Sequence, residues 1–139
     1  VSLTFGCLIA GWAVDRYGPG LTFMVGSVLL AVTVHSFYTT IGEQPSLLLP
    51  LYAVTGLTVG IVGAVPFVMV RAFPAAVRFS GLSFSYNIAY AIFGGLTPVA
   101  VAALLKESTL APAYYVMGTC VMGFVIGIYL KVTGFARRG

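Results

Sequence analysis

Apolar residues fill this chain in long blocks, broken at intervals by glycine, proline or a few charges. Four blocks, roughly 20–40, 47–70, 80–105 and 112–131, each supply the ~20 mostly apolar residues that a membrane-crossing helix needs. Residues 1–14 read as the end of a fifth, truncated span. The breaks fall at Gly18-Pro19-Gly20, at Gly42-Glu43-Gln44-Pro45, at Phe73-Pro74 and at Lys106-Glu107. Glycine and proline end helices there through lost hydrogen bonds and restricted φ. The pattern predicts an all-α integral membrane protein: a partial helix bundle of about four complete transmembrane helices plus the end of another.

Composition agrees with the pattern. The 139 residues are 60% hydrophobic and 7% charged, whereas a soluble domain is about 45–50% apolar and about 25% charged. Too few polar groups exist to cover a water-facing surface, so the lipid bilayer is the first expected partner. The net charge of +4 is then a matter of placement, not of nucleic-acid binding. Arg16, Arg71, Arg78, Lys131, Arg137 and Arg138 fall on one side of the expected spans and only Lys106 on the other. The positive-inside rule puts the 11–20 turn, the 71–80 loop and the C-terminus in the cytoplasm. Val1 lies in mid-block with no initiator methionine, and the chain is expected to be a piece of something longer.

Enzyme chemistry has little to work with. No carboxylate sits inside an apolar block, one histidine cannot build an H-E-x-x-H zinc site, and neither a G-x-S-x-G elbow nor a P-loop occurs. Cys7 and Cys120 lie in apolar blocks and read as packing residues. No enzyme activity, cofactor or metal is expected.

Polar residues inside the blocks are the candidate chemistry. At about 100° per residue, Ser80, Ser83, Asn87, Tyr90, Gly94 and Thr97 share one arc of the fourth span, and Phe84, Ile88, Ile92, Leu96 and Val99 oppose it. An amide in hydrocarbon must be hydrogen-bonded or wetted. Asn87 therefore serves either an interhelical bond or a water-filled pathway. In the span 47–70, Tyr52, Thr55, Gly56, Val59, Gly63 and Pro66 form a comparable stripe. Close helix approach explains Gly56 and Gly60, as it does Gly123 and Gly127 in the last span. Tyr52 is either an interfacial anchor or a cavity residue. His35 lies near the outer end of the first complete span and is either wetted there or part of a proton relay.

Two stretches resemble the major facilitator superfamily, and within it the metabolite:proton symporters. Gly11-x-x-x-Asp15-Arg16-x-Gly18 is similar to the signature turn between the eighth and ninth helices of these twelve-helix transporters. Phe73-Pro74-Ala75-Ala76-Val77-Arg78, then Gly81 and Tyr86 to Pro98, resembles their tenth-to-eleventh helix segment. The chain departs from the family at Pro19-Gly20, where further basic residues are usual, and at Arg71, where glutamate is frequent. The resemblance implies the C-terminal part of a secondary transporter, from the end of helix eight through helix twelve, in a plasma membrane (a bacterial inner membrane). It implies proton-coupled symport of a small metabolite, a carboxylate or a zwitterionic osmolyte, by alternating access with a missing N-terminal half. Ser83, Asn87, Tyr90, Tyr52 and Thr55 become candidate pathway residues, and Asp15, Arg16, Arg71 and Arg78 a candidate cytoplasmic charge network in which Asp15 pairs with Arg71 or Arg78. For Asp15 and Arg16 the other reading is a solvated turn that only sets topology. A small multi-span anchor or assembly subunit is the alternative from another function class.

The six-to-one asymmetry is directly testable. Single cysteines at Gln44 and Gly139, in a cysteine-free background, are expected to react with impermeant reagent from opposite faces of the membrane. Reaction of both from one face would overturn the orientation.

Overall fold

Gly18 makes the first corner, at a φ of 85° that a residue with a Cβ rarely adopts. In the computed structural model, which describes residues 1–135, helix α1 (Ser2–Tyr17) ends as the Gly18 N–H donates to the Val14 carbonyl at 2.9 Å. Helix α2 (Pro19–Glu43) starts at once. Pro19 has no N–H, and its fixed φ suits the first helical position. Its ring is fully buried in the corner. The Thr22 hydroxyl donates to the Gly18 carbonyl at 2.9 Å and tightens the first turn.

The third span, Leu48–Ala72, is continuous in length but not in geometry. It comprises α3 (Leu48–Val59), a 3₁₀ stretch at Gly60–Ala64, and α4 (Val65–Ala72). Pro66 cannot donate to the carbonyl four residues back, and the tighter winding lies just before it. The fourth span, Arg78–Leu104, repeats the arrangement with the opposite distortion. It comprises α5 (Arg78–Ala89), a π turn at Tyr90–Gly94, and α6 (Gly95–Leu104) with Pro98 inside it. Helix α7 (Ala111–Val132) completes the chain. The residue before Pro74 is extended, with Phe73 at φ −112° and ψ 136°, which ends α4 as the proline demands. Every regular element among the described residues is helical. Four of the spans are long and apolar enough to cross a membrane.

Lipid tails are as apolar as leucine, so small residues and close backbone approach hold such helices together. Two seams do this here. Along α2 and α7, Gly20 lies against Lys131, Met24 against Gly127, and the buried Ser27 against Gly123. A Cβ on Gly127 would stand 2.8 Å from the Met24 nitrogen, and one on Gly123 2.7 Å from the Ser27 hydroxyl. Along α1 and the third span, Gly56 meets Ser2, Gly60 meets Gly6, and Gly63 meets Cys7 at 3.0 Å. The first seam is antiparallel and the second parallel, as alternating up-and-down spans require. Cys7 and Cys120 are free thiols at packed positions, matching the packing reading.

Alternation gathers Arg16, Arg71, Arg78 and Lys131 at one end of the bundle, with Glu43, Lys106 and Glu107 at the other. Arg137 and Arg138 lie outside the described residues. The fourth span stands at the margin: none of its residues is buried.

The seams make a sharp mutational contrast. Gly63→Ala and Gly127→Ala force a Cβ into backbone and should each cost about 1–3 kcal/mol, as overpacking does. Gly118→Ala meets open space within 4 Å and should be neutral or slightly stabilising. Thermal unfolding in detergent micelles checks this, and equal midpoints for all three would refute the seams.

Candidate transport pathway

The first half of the fourth span carries a polar face. The Asn87 side-chain nitrogen donates to the Ser83 carbonyl one turn back, at 2.8 Å. Tyr86 and Tyr90, also one turn apart, stack with ring centroids 4.8 Å apart and planes 30° apart, their hydroxyls 3.5 Å from each other. Asn87, Tyr86 and Tyr90 are exposed and Ser83 is half-buried. Asn87 is thus bonded within its own helix, not to a neighbouring one, among the described residues.

The π turn divides the arc that a uniform helix would draw from Ser80 to Thr97. A π turn adds a residue, so the helix beyond it is rotated by about 100° relative to an unbroken one. Thr97 consequently faces α7, and its hydroxyl lies 2.8 Å from that of Tyr115. It also bonds the Phe93 carbonyl in its own helix. The polar face of the first half of the span, with Ser83, Asn87 and Tyr90, is separate from this docking contact of its second half. Uniform periodicity could not reveal the split, and it left Tyr86 and Tyr115 unremarked. The four-residue spacing of Tyr86 and Tyr90 was the available signal.

The third-span candidates lie elsewhere. Tyr52 is exposed and sits 6.3 Å from the Phe37 ring of α2, at 50° between planes. The Thr55 hydroxyl donates to the Leu51 carbonyl at 2.9 Å. Neither contact leads to Ser83, Asn87 or Tyr90. A polar link the sequence did not announce joins Thr33 and Thr58 across α2 and α3, hydroxyl to hydroxyl at 2.8 Å. An apolar cavity of about 500 Å³ lies between α1, α2 and α3 and includes none of the candidate residues.

At the basic end of the bundle, aromatic rings and backbone take up the arginines. Arg16 lies 5.6 Å from the Trp12 ring centroid and 5.9 Å from that of Tyr17. Arg71 stands over Phe67 at 4.4 Å. The Arg78 Nε donates to the Phe73 carbonyl at 3.3 Å. These are the contacts of Arg71 and Arg78 here, and none of them is with Asp15, which is exposed beside its turn. His35 is exposed too.

A bundle of apolar, membrane-length helices, with a polar face on one span and charge confined to the ends, defines a multi-pass membrane protein. Comparison with known proteins narrows the class. The chain is 29% identical over 135 residues to a citrate-proton symporter of Klebsiella pneumoniae, covering 94% of this chain and 30% of that protein. It is 31% identical over 140 residues to a proline/betaine transporter of Salmonella typhimurium, covering 96% of this chain and 27% of that protein. An ectoine/proline transporter of Corynebacterium glutamicum is 35% identical over 111 residues, 74% of this chain and 21% of its own length. Along nearly its whole length the chain is thus similar to metabolite:proton symporters of the major facilitator superfamily, matching a C-terminal portion of them. It spans less than a third of the length of these relatives. No family model matches the chain. No solved structure matches it.

The Thr97–Tyr115 bond should carry measurable coupling. A double-mutant cycle of Thr97→Val and Tyr115→Phe, read by unfolding in bicelles, is expected to give about 0.6 kcal/mol, and no more than about 1.7. A coupling of zero would mean that the hydroxyls do not hold α6 on α7.

Proposed function

We propose that this chain forms part of a proton-coupled secondary transporter for a small carboxylate or zwitterionic osmolyte, working by alternating access in a bacterial inner membrane. The observation that carries the reading is the exposed polar face of the fourth span. Ser83, Asn87 and Tyr90 sit on a helix long enough to cross the bilayer, and Asn87 is among its exposed residues. Hydrocarbon is a costly environment for such a face, and a water-filled pathway is not. The names of the relatives agree: one carries citrate with protons, others proline and betaine.

Each candidate then has a role. Asn87, Tyr90 and Ser83 line the pathway and contact solute or its water. Tyr52 and Thr55 contribute from the third span. Asp15, Arg16, Arg71 and Arg78 form the cytoplasmic charge network, with the C-terminus on that side. A single exposed pair is worth only about 0–1 kcal/mol, yet that is enough to shift a gate between states of nearly equal energy. All cations of the described chain lie near span ends. An anionic solute at mid-membrane therefore takes its counter-charge from the N-terminal half or from the coupled proton.

Uptake of radiolabelled citrate, proline and glycine betaine by cells expressing the intact transporter tests the reading. Accumulation of at least one, abolished by a protonophore, is expected. In the same cells Asn87→Leu should depress the rate at least tenfold, while Ile88→Leu leaves it within about twofold. Wild-type rates for both variants would remove Asn87 from the pathway.

A further inference from the structure

The fourth span is held at its two ends by different neighbours. On the inner side, the Phe73 ring lies against Gly81, where a Cβ would stand 2.7 Å from a ring carbon, and Arg78 donates to the Phe73 carbonyl. These contacts tie α5 to the turn after α4. On the outer side, the Thr97 hydroxyl meets Tyr115 and ties α6 to α7.

Between the ties the helix is weakened in three ways. Residues Tyr90–Gly94 form a π turn, a winding that is rare and that recurs at functional sites. Pro98 has no N–H to give the Gly94 carbonyl. Gly94 and Gly95 are adjacent, and a Cβ on either would meet nothing within 4 Å. Elsewhere in this chain glycines at helix crossings are explained by packing, as Gly60, Gly63 and Gly127 are. Among the described residues nothing packs against this pair, and glycine is among the poorest residues for a helix interior.

We infer that residues 90–98 are a hinge. The outer segment α6 stays on α7, while the inner segment α5, with Ser83, Tyr86 and Asn87, swings relative to α7. The polar face is thereby presented to the pathway in one state and withdrawn in the other. The inference rests on the transport reading for this consequence, but the hinge itself can be measured without transport.

The test uses nitroxide pairs in the intact transporter, with Cys7, Cys120 and any other cysteines replaced by serine. One pair joins Met122 of α7 to Ala103 of α6, and the other joins Met122 to Phe84 of α5. Electron–electron distance measurements should give one narrow distribution for the first pair and a broad or two-peaked one for the second. Gly94→Ala with Gly95→Ala should shrink the minor population of the second pair by about fivefold per glycine, without changing the first. Pro98→Ala, which restores the missing N–H, should act the same way, and it decides the matter should the glycine variant not fold. Equal breadths for the two pairs, or variants that leave the second distribution unchanged, overturn the hinge. Were the glycine pair a seat for another helix, Gly94→Leu would disrupt assembly while the alanine variants left both distributions unaltered, which also overturns it. Absence of any solute uptake by the wild type would count against the transport reading alone, since the distances still decide the hinge.

Discussion

The bilayer interior offers no water to a peptide bond, and this one constraint organises the whole chain. Every N–H and C=O within the hydrocarbon has to find its partner inside the protein, so the apolar blocks become helices from end to end. Where proline makes that impossible, the winding changes locally instead of unravelling. Pro66 is preceded by a 3₁₀ stretch and Pro98 by a π turn. Threonine hydroxyls share the same duty: those of Thr22, Thr33, Thr55 and Thr97 each donate to a carbonyl one turn back in their own helix. Such bonds keep a hydroxyl satisfied without a neighbour, and they tend to bend the helix that makes them.

Once the helices exist, their association cannot rest on a difference between oil and water. It rests on how closely backbones approach, and the small residues divide the molecule accordingly. Gly6, Gly60 and Gly63 on one seam, and Gly20, Ser27, Gly123 and Gly127 on the other, draw α1, α2, the third span and α7 together. The fourth span has Gly81 under Phe73 and a single hydroxyl contact to α7, but no seam of comparable extent. It is the least buried of the four membrane-length spans, and its first half carries a polar face. In a transporter these two properties belong together, because a surface that must meet solute cannot also be sealed against its neighbours.

Charge is treated as the bilayer requires. Arg16, Arg71 and Arg78 stand near helix ends, their guanidinium groups on aromatic rings or backbone oxygen. Arg16, Arg71, Arg78 and Lys131 thus share one end of the bundle with Asp15 among the described residues.

Much of the architecture was legible in the order of residues. Blocks of ~20 apolar residues give membrane helices because the thickness of hydrocarbon sets their length. Gly18-Pro19 and Phe73-Pro74 mark corners because backbone geometry leaves those residues few alternatives. The polar character of the fourth span, with Ser83, Asn87 and Tyr90 as candidates, could also be read directly. What the sequence could not supply was rotation and partnership. The π turn moved Thr97 onto Tyr115 and away from the arc of Asn87, since winding depends on how a missing N–H is accommodated and not on hydropathy period. Thr33 met Thr58 and Gly60 met Gly6 because two helices cross there, and the crossing is set by the joint shape of both surfaces. Composition and period determine that a helix exists and which residues it bears. Only packed neighbours decide where each of those residues faces.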